Sequence, residues 1–341
     1  MNIDFSKLDG KTLVITGGTG MIGKWMIDHM LEKVNCRIIL LGRSEEKAHK
    51  RFDESLWRCG RLFFLQWDPS RPTPLLQLHS QTFKQRKVDF IIHLASNTHP
   101  VAYATDPVST IVMNVSATKE LLDFAVKMNC GRFVYASSVE IYGRNRGDCE
   151  KFKEDYCGYI DCNTLRAGYP ESKRCGEALC QAYIAQYGLD AVISRIARIY
   201  GPTLQSGDSK ALSQFIGNAL AGQDIVLKSE GSQCFSYLHV ADAVSGILTV
   251  MLKGVKGQAY NIADEASDIT LRELAALIAK QCGRRVVFEV PSATESVGFS
   301  NAMLARLDSK KLKDLGWVAQ YDISTGVENT IQTMREHKSG T

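Results

Sequence analysis

"TGGTGMIG", Thr16 to Gly23, follows the apolar run "TLVI" and precedes "KWMIDHMLEKV", a stretch with helical character. Gly17, Gly20 and Gly23 therefore fall where a strand hands over to a helix, the context in which this spacing carries meaning. Gly17 permits the tight turn, and Gly20 removes a side chain so that backbone N–H groups approach a diphosphate. Gly23 lets the helix pack closely, while Met21 and Ile22 open that helix at its positive end. A plain strand-to-helix turn would not require three glycines at these intervals.

Working outward, the runs "TLVIT", "RIILL", "RLFFLQW", "DFIIHLA" and "RFVYASS" are short, continuous and rich in β-branched or aromatic residues, as buried parallel strands are. Between them lie segments of period near 3.6, such as "STIVMNVSATKELLDFAVKM", whose Ile111, Val115, Leu121, Leu122 and Val126 are expected to line one buried face. The pattern predicts an α/β fold, a Rossmann doubly wound parallel sheet with a smaller, interleaved C-terminal substrate domain. The rhythm changes after "AVISRIARIYGP". The expected division is residues 1–198 plus about 236–257 for the dinucleotide-binding part, and 199–235 with 258–336 for the substrate part.

Composition narrows the function classes. The 341 residues carry a net charge of +4, with no basic stripe to follow a nucleic-acid backbone, so nucleic acid is not an expected partner. No apolar run is long enough to span a bilayer, and "MNIDFSKLDG" has no leader character, so the expected setting is the cytoplasm without a membrane partner. The ten cysteines are scattered, and Cys149, Cys157 and Cys162 lack the spacing of a zinc knuckle. They read as free thiols, and no metal is expected.

The strand after the glycine loop bears on the choice of dinucleotide. An acidic side chain at its end holds a ribose hydroxyl in NAD sites, but "IILLGRS" offers Gly42 and Arg43. The cofactor is thus NAD or NADP, with Arg43 tilting slightly towards NADP. Asp68, ending "FFLQWD", is a candidate adenine contact or a simple loop carboxylate.

"YPESK" sets Tyr169 and Lys173 four residues apart on one helix face. Making a tyrosine basic near neutrality takes roughly three pKa units, on the order of 4 kcal/mol. An adjacent ammonium and a positive nicotinamide ring are able to supply that.

With "TGGTGMIG", "HLAS", "NVSATKELL", "YASSVEIYG", "YPESK" and "RIARIYGP" in this order, the sequence resembles the extended short-chain dehydrogenase/reductase family, in particular its nucleotide-sugar epimerases and dehydratases. The resemblance implies that Tyr169 removes a proton from a sugar hydroxyl while hydride passes to the nicotinamide, giving a transient keto-sugar. It implies that Ser138 hydrogen-bonds the same oxygen, that Asn114 lies near the cofactor, and that Leu94, Ala95 and Ser96 line the cofactor's ribose and diphosphate. A nucleotide-diphosphate sugar as substrate and a homodimer follow by the same resemblance.

"SSVEIYG" is where the family's reactions part. A glutamate at the position of Glu140 resembles 4,6-dehydratases and UDP-glucuronate decarboxylases, in which it acts as general base at C5. The neighbouring Val139 cannot protonate a leaving hydroxyl. Phe235 stands where relatives usually have an arginine, leaving it to stack on a base or sugar face or to be ordinary core. Arg166, Arg195 and Arg198 are candidates for an anionic substrate or for structural ion pairs. His93 and His99 flank the presumed cofactor segment, with a structural role the expectation for a histidine ending a buried strand. The leading expectation is a lyase that eliminates water or carbon dioxide after C4 oxidation. The alternatives are a 4-epimerase, an NADPH-dependent keto-sugar reductase and a non-catalytic dinucleotide-sensing scaffold.

Overall fold

A computed structural model describes residues 3–70, 75–83, 87–96, 105–204, 210–289 and 303–339. Thirteen strands are present among them: β1 (Thr12–Thr16), β2 (Arg37–Gly42), β3 (Leu62–Gln66), β4 (Phe90–His93), β5 (Arg132–Ser138), β6 (Ala191–Ile196), β7 (Arg198–Tyr200), β8 (Ile225–Leu227), β9 (Cys234–His239), β10 (Ala259–Ile262), β11 (Asp268–Thr270), β12 (Val286–Phe288) and β13 (Leu304–Ala305).

Seven of them form one parallel sheet in the order β10-β6-β5-β4-β1-β2-β3. The order reverses between β1 and β4, so their carboxyl ends frame the crevice in which doubly wound sheets bind ligands. Both faces are covered. Leu13, Ile15, Ile38 and Leu40 join one core, whereas Val14, Ile39 and Leu41 join the other, the alternation a strand imposes on its side chains. Because both faces are apolar, these strands read as continuous hydrophobic runs.

In a second, four-stranded sheet, β9 pairs with β11 and β13 along its first half and with β7 along its second; β8 and β12 form a separate pair. One expectation changes here. "AYNIA", assigned above to the smaller part, supplies β10 of the large sheet, because the helix Val240–Lys253 is buried along almost its whole length and returns the chain parallel to β6. The tail after residue 271 also contributes β12 and β13 beside its helices Leu271–Cys282 and Ile323–Ser339.

The helix Pro107–Lys127 buries a face rotated from the one expected. Thr110, Asn114, Ala117, Thr118, Leu121 and Leu122 turn inward, while Val108, Ile111 and Val112 are exposed. Polar residues face in over its first half because that half borders the crevice. Among the described residues no helix is long and apolar enough to cross a membrane, and no cluster of His, Cys, Asp and Glu is arranged to hold a metal.

Candidate active site

The glycine loop joins β1 to the helix Met21–Lys33, whose N-cap is Gly20, with no side chain capping its first turn and no acid within it. Its leading N–H groups and positive dipole end therefore face the crevice, as an anion site requires. Gly17 adopts φ +70°, and a Cβ there would lie 2.7 Å from the backbone nitrogen of Ala95. A Cβ on Gly23 would overlap the carbonyl oxygen of Gly17 and Cα of Gly18, so Gly23 packs against the loop itself. The cradle is shaped by the absence of side chains, and it fits a dinucleotide diphosphate.

Thr16, which the sequence reading passed over, ties the crevice walls together. Its hydroxyl accepts from the Ala95 N–H at 3.0 Å and meets Nδ1 of His93 at 2.8 Å, while Nε2 of His93 meets Thr118 at 3.1 Å. Because Thr118 donates to the Asn114 carbonyl, the network assigns the His93 proton to Nε2 and makes Nδ1 the acceptor from Thr16. Burial, followed by the charge of Lys173, pushes His93 down to about 3, so it is neutral and structural. His99 lies outside the described residues.

A second network fixes the crevice to the helix Gly168–Tyr187. Ser96 donates to Asn114, Asn114 donates to Ser172, and Ser172 donates to the Tyr169 carbonyl, at 2.8, 2.8 and 2.7 Å. Leu94, Ala95 and Ser96 therefore border the crevice with Asn114 behind them. Ser172 was the second omission of the sequence reading, although its place in "YPESK" puts it on the turn that carries Tyr169.

Tyr169 and Lys173 are both buried. Burial pushes the Tyr169 phenol up to about 12, against hydrogen bonds from Ser138 and Ser96 that draw it down; the negative charge of Glu140 raises it and Arg166 lowers it. The Lys173 ammonium donates to the Ala136 carbonyl at 2.8 Å and stands 6.0 Å from the Tyr169 ring centroid. Burial brings it down to about 8, with Glu177 pulling the other way.

This shift has a direct consequence for stability. Between pH 8 and 10.5 the unfolded chain holds a proton on Lys173 that the folded chain has lost. Burying the ammonium thus opposes folding fully below pH 8, and the opposition fades as pH rises through that window. Relative to Lys173→Met, wild type gains on the order of 3 kcal/mol between pH 8 and 10.5. Denaturant unfolding of both proteins across this range measures the gap, and a gap independent of pH would refute the desolvated ammonium.

Ser138 caps the 3₁₀ turn Val139–Tyr142, its hydroxyl accepting from the Glu140 N–H at 3.2 Å. The turn projects Glu140 between two cations. One carboxylate oxygen receives Nη2 of Arg166 at 2.7 Å and the other Nη2 of Arg198 at 3.2 Å. The Arg198 guanidinium lies 3.9 Å over the ring of Phe235, with the edge of Tyr237 beyond.

Phe235 is therefore buried under Arg198; of its two expected roles, stacking on a sugar or base face or ordinary core, the structure places it in the core, with its ring covered by this cation–π stack. The register of β7 with β9, which sets Arg198 opposite Tyr237, brings the two together. Arg195 is committed to the fold through Glu177 at 2.7 Å, Tyr142 and the Glu154 carbonyl, which removes it from the anion candidates. Arg43 is exposed just beyond β2, and Asp68 closes its own turn by accepting from the backbone and hydroxyl of Ser70.

Residues 13–263 match the family described as NAD dependent epimerase/dehydratase. UDP-glucuronic acid decarboxylase 1 of Danio rerio is 28% identical over 334 residues, covering 96% of this chain and 73% of that protein. UDP-glucuronic acid decarboxylase 3 of Arabidopsis thaliana is 27% identical over 320 residues, covering 92% and 86%. Among solved structures, the dTDP-glucose 4,6-dehydratase DesIV of Streptomyces venezuelae, with NAD bound, superposes with a TM-score of 0.80 at 25% identity, covering 96% of this chain and 98% of that one. The UDP-glucose 4-epimerase of Thermotoga maritima shares the fold with a TM-score of 0.81 at 20% identity, covering 96% and 99%. A dinucleotide cradle at the β1/β4 switch point and a match running from β1 to the end of β10 agree, and this chain belongs to the NAD dependent epimerase/dehydratase family.

Proposed function

We propose that this protein is a lyase that oxidises C4 of a nucleotide-diphosphate sugar transiently and then removes carbon dioxide from C5. The observation carrying this reading is the convergence of Arg166 and Arg198 on Glu140, within electrostatic reach of the Tyr169 phenol. Two guanidinium groups beside a sugar-oxidising tyrosine suit a substrate that bears a carboxylate next to the reacting carbon. Similarity to UDP-glucuronic acid decarboxylases over almost the whole chain supports the same choice.

NAD, when bound, supplies the hydride acceptor and later the donor at C4. Its family membership and the NAD-bound neighbour favour NAD over the NADP that Arg43 suggested. Tyr169 takes the C4 hydroxyl proton and returns it to the same oxygen when C4 is reduced again, with Ser138 hydrogen-bonding that oxygen and Lys173 setting the local charge. Once C4 is a ketone, the C5–C6 bond breaks, its electron pair passes into the carbonyl as an enolate, and carbon dioxide leaves. A proton from water then returns to C5 by way of Glu140, the general acid–base on that side. Arg166 and Arg198 hold the carboxylate, and Phe235 holds Arg198.

The second reading is 4,6-dehydration, in which Glu140 takes the C5 proton, and the likeness to DesIV favours it. Val139 offers no proton to the departing hydroxyl. Mass spectrometry of a panel of nucleotide sugars incubated with the protein and no added reductant is the deciding experiment. UDP-glucuronate is expected to lose carbon dioxide. Loss of water from a neutral sugar would replace this reading with dehydration, and a stereochemical change without any mass change would replace it with epimerisation.

A homodimer is part of the proposal. Val108, Ile111 and Val112 on one helix, with Leu165 in the 3₁₀ turn Leu165–Ala167 and Tyr187 at the end of the helix Gly168–Tyr187, are exposed apolar side chains that a second copy would cover. A monomer in sedimentation velocity would overturn it.

A further inference from the structure

We infer that, in the substrate-free protein, Glu140 occupies the anion site in which the substrate's own carboxylate binds, so that an acidic sugar displaces Glu140 and releases it. This deepens the nucleotide-sugar reading above and rests on it. The first ground is occupancy. Both carboxylate oxygens of Glu140 are engaged, each by a guanidinium from a different element: Arg166 from the 3₁₀ turn Leu165–Ala167 and Arg198 from β7. A carboxylate whose lone pairs face two cations is poorly disposed to exchange protons with C5, so Glu140 must leave this position before it acts.

The second ground is charge. Two guanidinium groups and one carboxylate leave these three groups with one positive charge in a partly buried place. One more carboxylate brings the four groups to neutrality, whereas a neutral hexose does not. The third ground is an incomplete fork. Arg198 gives Nη2 to Glu140, but its Nε is buried with no hydrogen-bond partner among the described residues. Stacking on Phe235 uses the face of the guanidinium and leaves the in-plane donors for an anion, and the Nε and Nη2 pair suits a carboxylate that binds with both oxygens.

The exchange makes Glu140 a gate as well as a proton carrier. A neutral sugar leaves it locked against the arginines, while an acidic sugar takes the arginines and frees it. Selectivity for acidic sugars then comes from Arg198, delivered by β7 and held by the Phe235 ring on β9.

Calorimetric titration of the NAD-loaded protein with UDP-glucuronate and UDP-glucose tests this. In Glu140→Gln, a side chain of the same shape that no longer competes as an anion, UDP-glucuronate is expected to bind about tenfold more tightly or better, the scale of one charge-assisted hydrogen bond. UDP-glucose binding is expected to stay unchanged. Arg198→Gln is expected to lose the preference for the acidic sugar, and the comparison of wild type with Glu140→Gln stands alone if that variant is unstable. Weaker UDP-glucuronate binding in Glu140→Gln, or equal shifts for both sugars, would make Glu140 only a brace for the arginines and overturn the inference. Decarboxylation by wild type without tightening in Glu140→Gln would overturn it while leaving the proposed reaction intact. Failure of wild type to bind either sugar would overturn both.

Discussion

Tyr169→Phe is expected to lower turnover by about 10² to 10⁴, the span that a positioned acid–base group supplies, while leaving NAD binding and folding close to wild type. The ring is buried, so phenylalanine preserves its packing and removes only the oxygen that Ser138 and Ser96 bind. The phenol itself, pushed up to about 12 by burial, is protonated near neutrality and is a poor base before cofactor and substrate arrive. In the proposed reaction its activation therefore depends on the positive charges assembled around it. Lys173, held at about 8, supplies one of them over most of the neutral range and loses it as pH rises past that value. Single-turnover measurements on the NAD-loaded variant with UDP-glucuronate read the effect. Retention of more than about a tenth of wild-type turnover would show that another group takes the C4 proton.

The parts of the site legible in the sequence are those written locally. Gly17, Gly20 and Gly23 follow one strand within seven positions, and Tyr169 and Lys173 share one helix turn, so spacing alone carries their geometry. The arrangement around Glu140 is not local. Arg198 meets Phe235 only because β7 and β9 run parallel in one register, and nothing in "RIARIYGP" or "CFSYLH" encodes that pairing. Phe235 on one strand and Arg198 on another look unrelated until the strands are aligned. Asn114 and Ser172 are likewise 58 positions apart and meet through helix packing.

Periodicity had a subtler failure. It selects the apolar side of the helix Pro107–Lys127 as the buried side, but the crevice beside this helix needs Asn114 and Thr118 to face inward. Ile111 is accordingly exposed, with Val108 and Val112 beside it, and these are the side chains the proposed dimer would cover. The strand β10 escaped for a related reason. An edge strand of the parallel sheet is added late in the chain, after a helix whose mostly apolar positions read as the centre of another unit.

At Gly23→Ala local propensity and the fold disagree. In a helix interior, alanine stabilises by roughly 0.5 to 1 kcal/mol relative to glycine. At Gly23 the added Cβ would meet the Gly17 carbonyl and the Gly18 backbone, atoms that have no rotamer by which to withdraw. The loop must move as a unit, and Gly17 is itself held at φ +70° against the Ala95 backbone. Overpacking of this kind costs about 1 to 3 kcal/mol, and the moved atoms are those proposed to cradle the diphosphate. We expect Gly23→Ala to lower stability by about 2 kcal/mol and NAD affinity by about a hundredfold or more, the effect of losing two charge-assisted hydrogen bonds. Gly217→Ala is the control, because it too lies in a helix and no described atom comes within 4 Å of its added Cβ; it should stabilise slightly and bind NAD normally. Melting curves with and without NAD separate the two effects. Wild type and Gly217→Ala gain about 2.7 kcal/mol at a ligand concentration one hundred times the dissociation constant, while Gly23→Ala at that same concentration gains little. Equal NAD stabilisation in all three proteins would mean that the diphosphate does not rest on this loop.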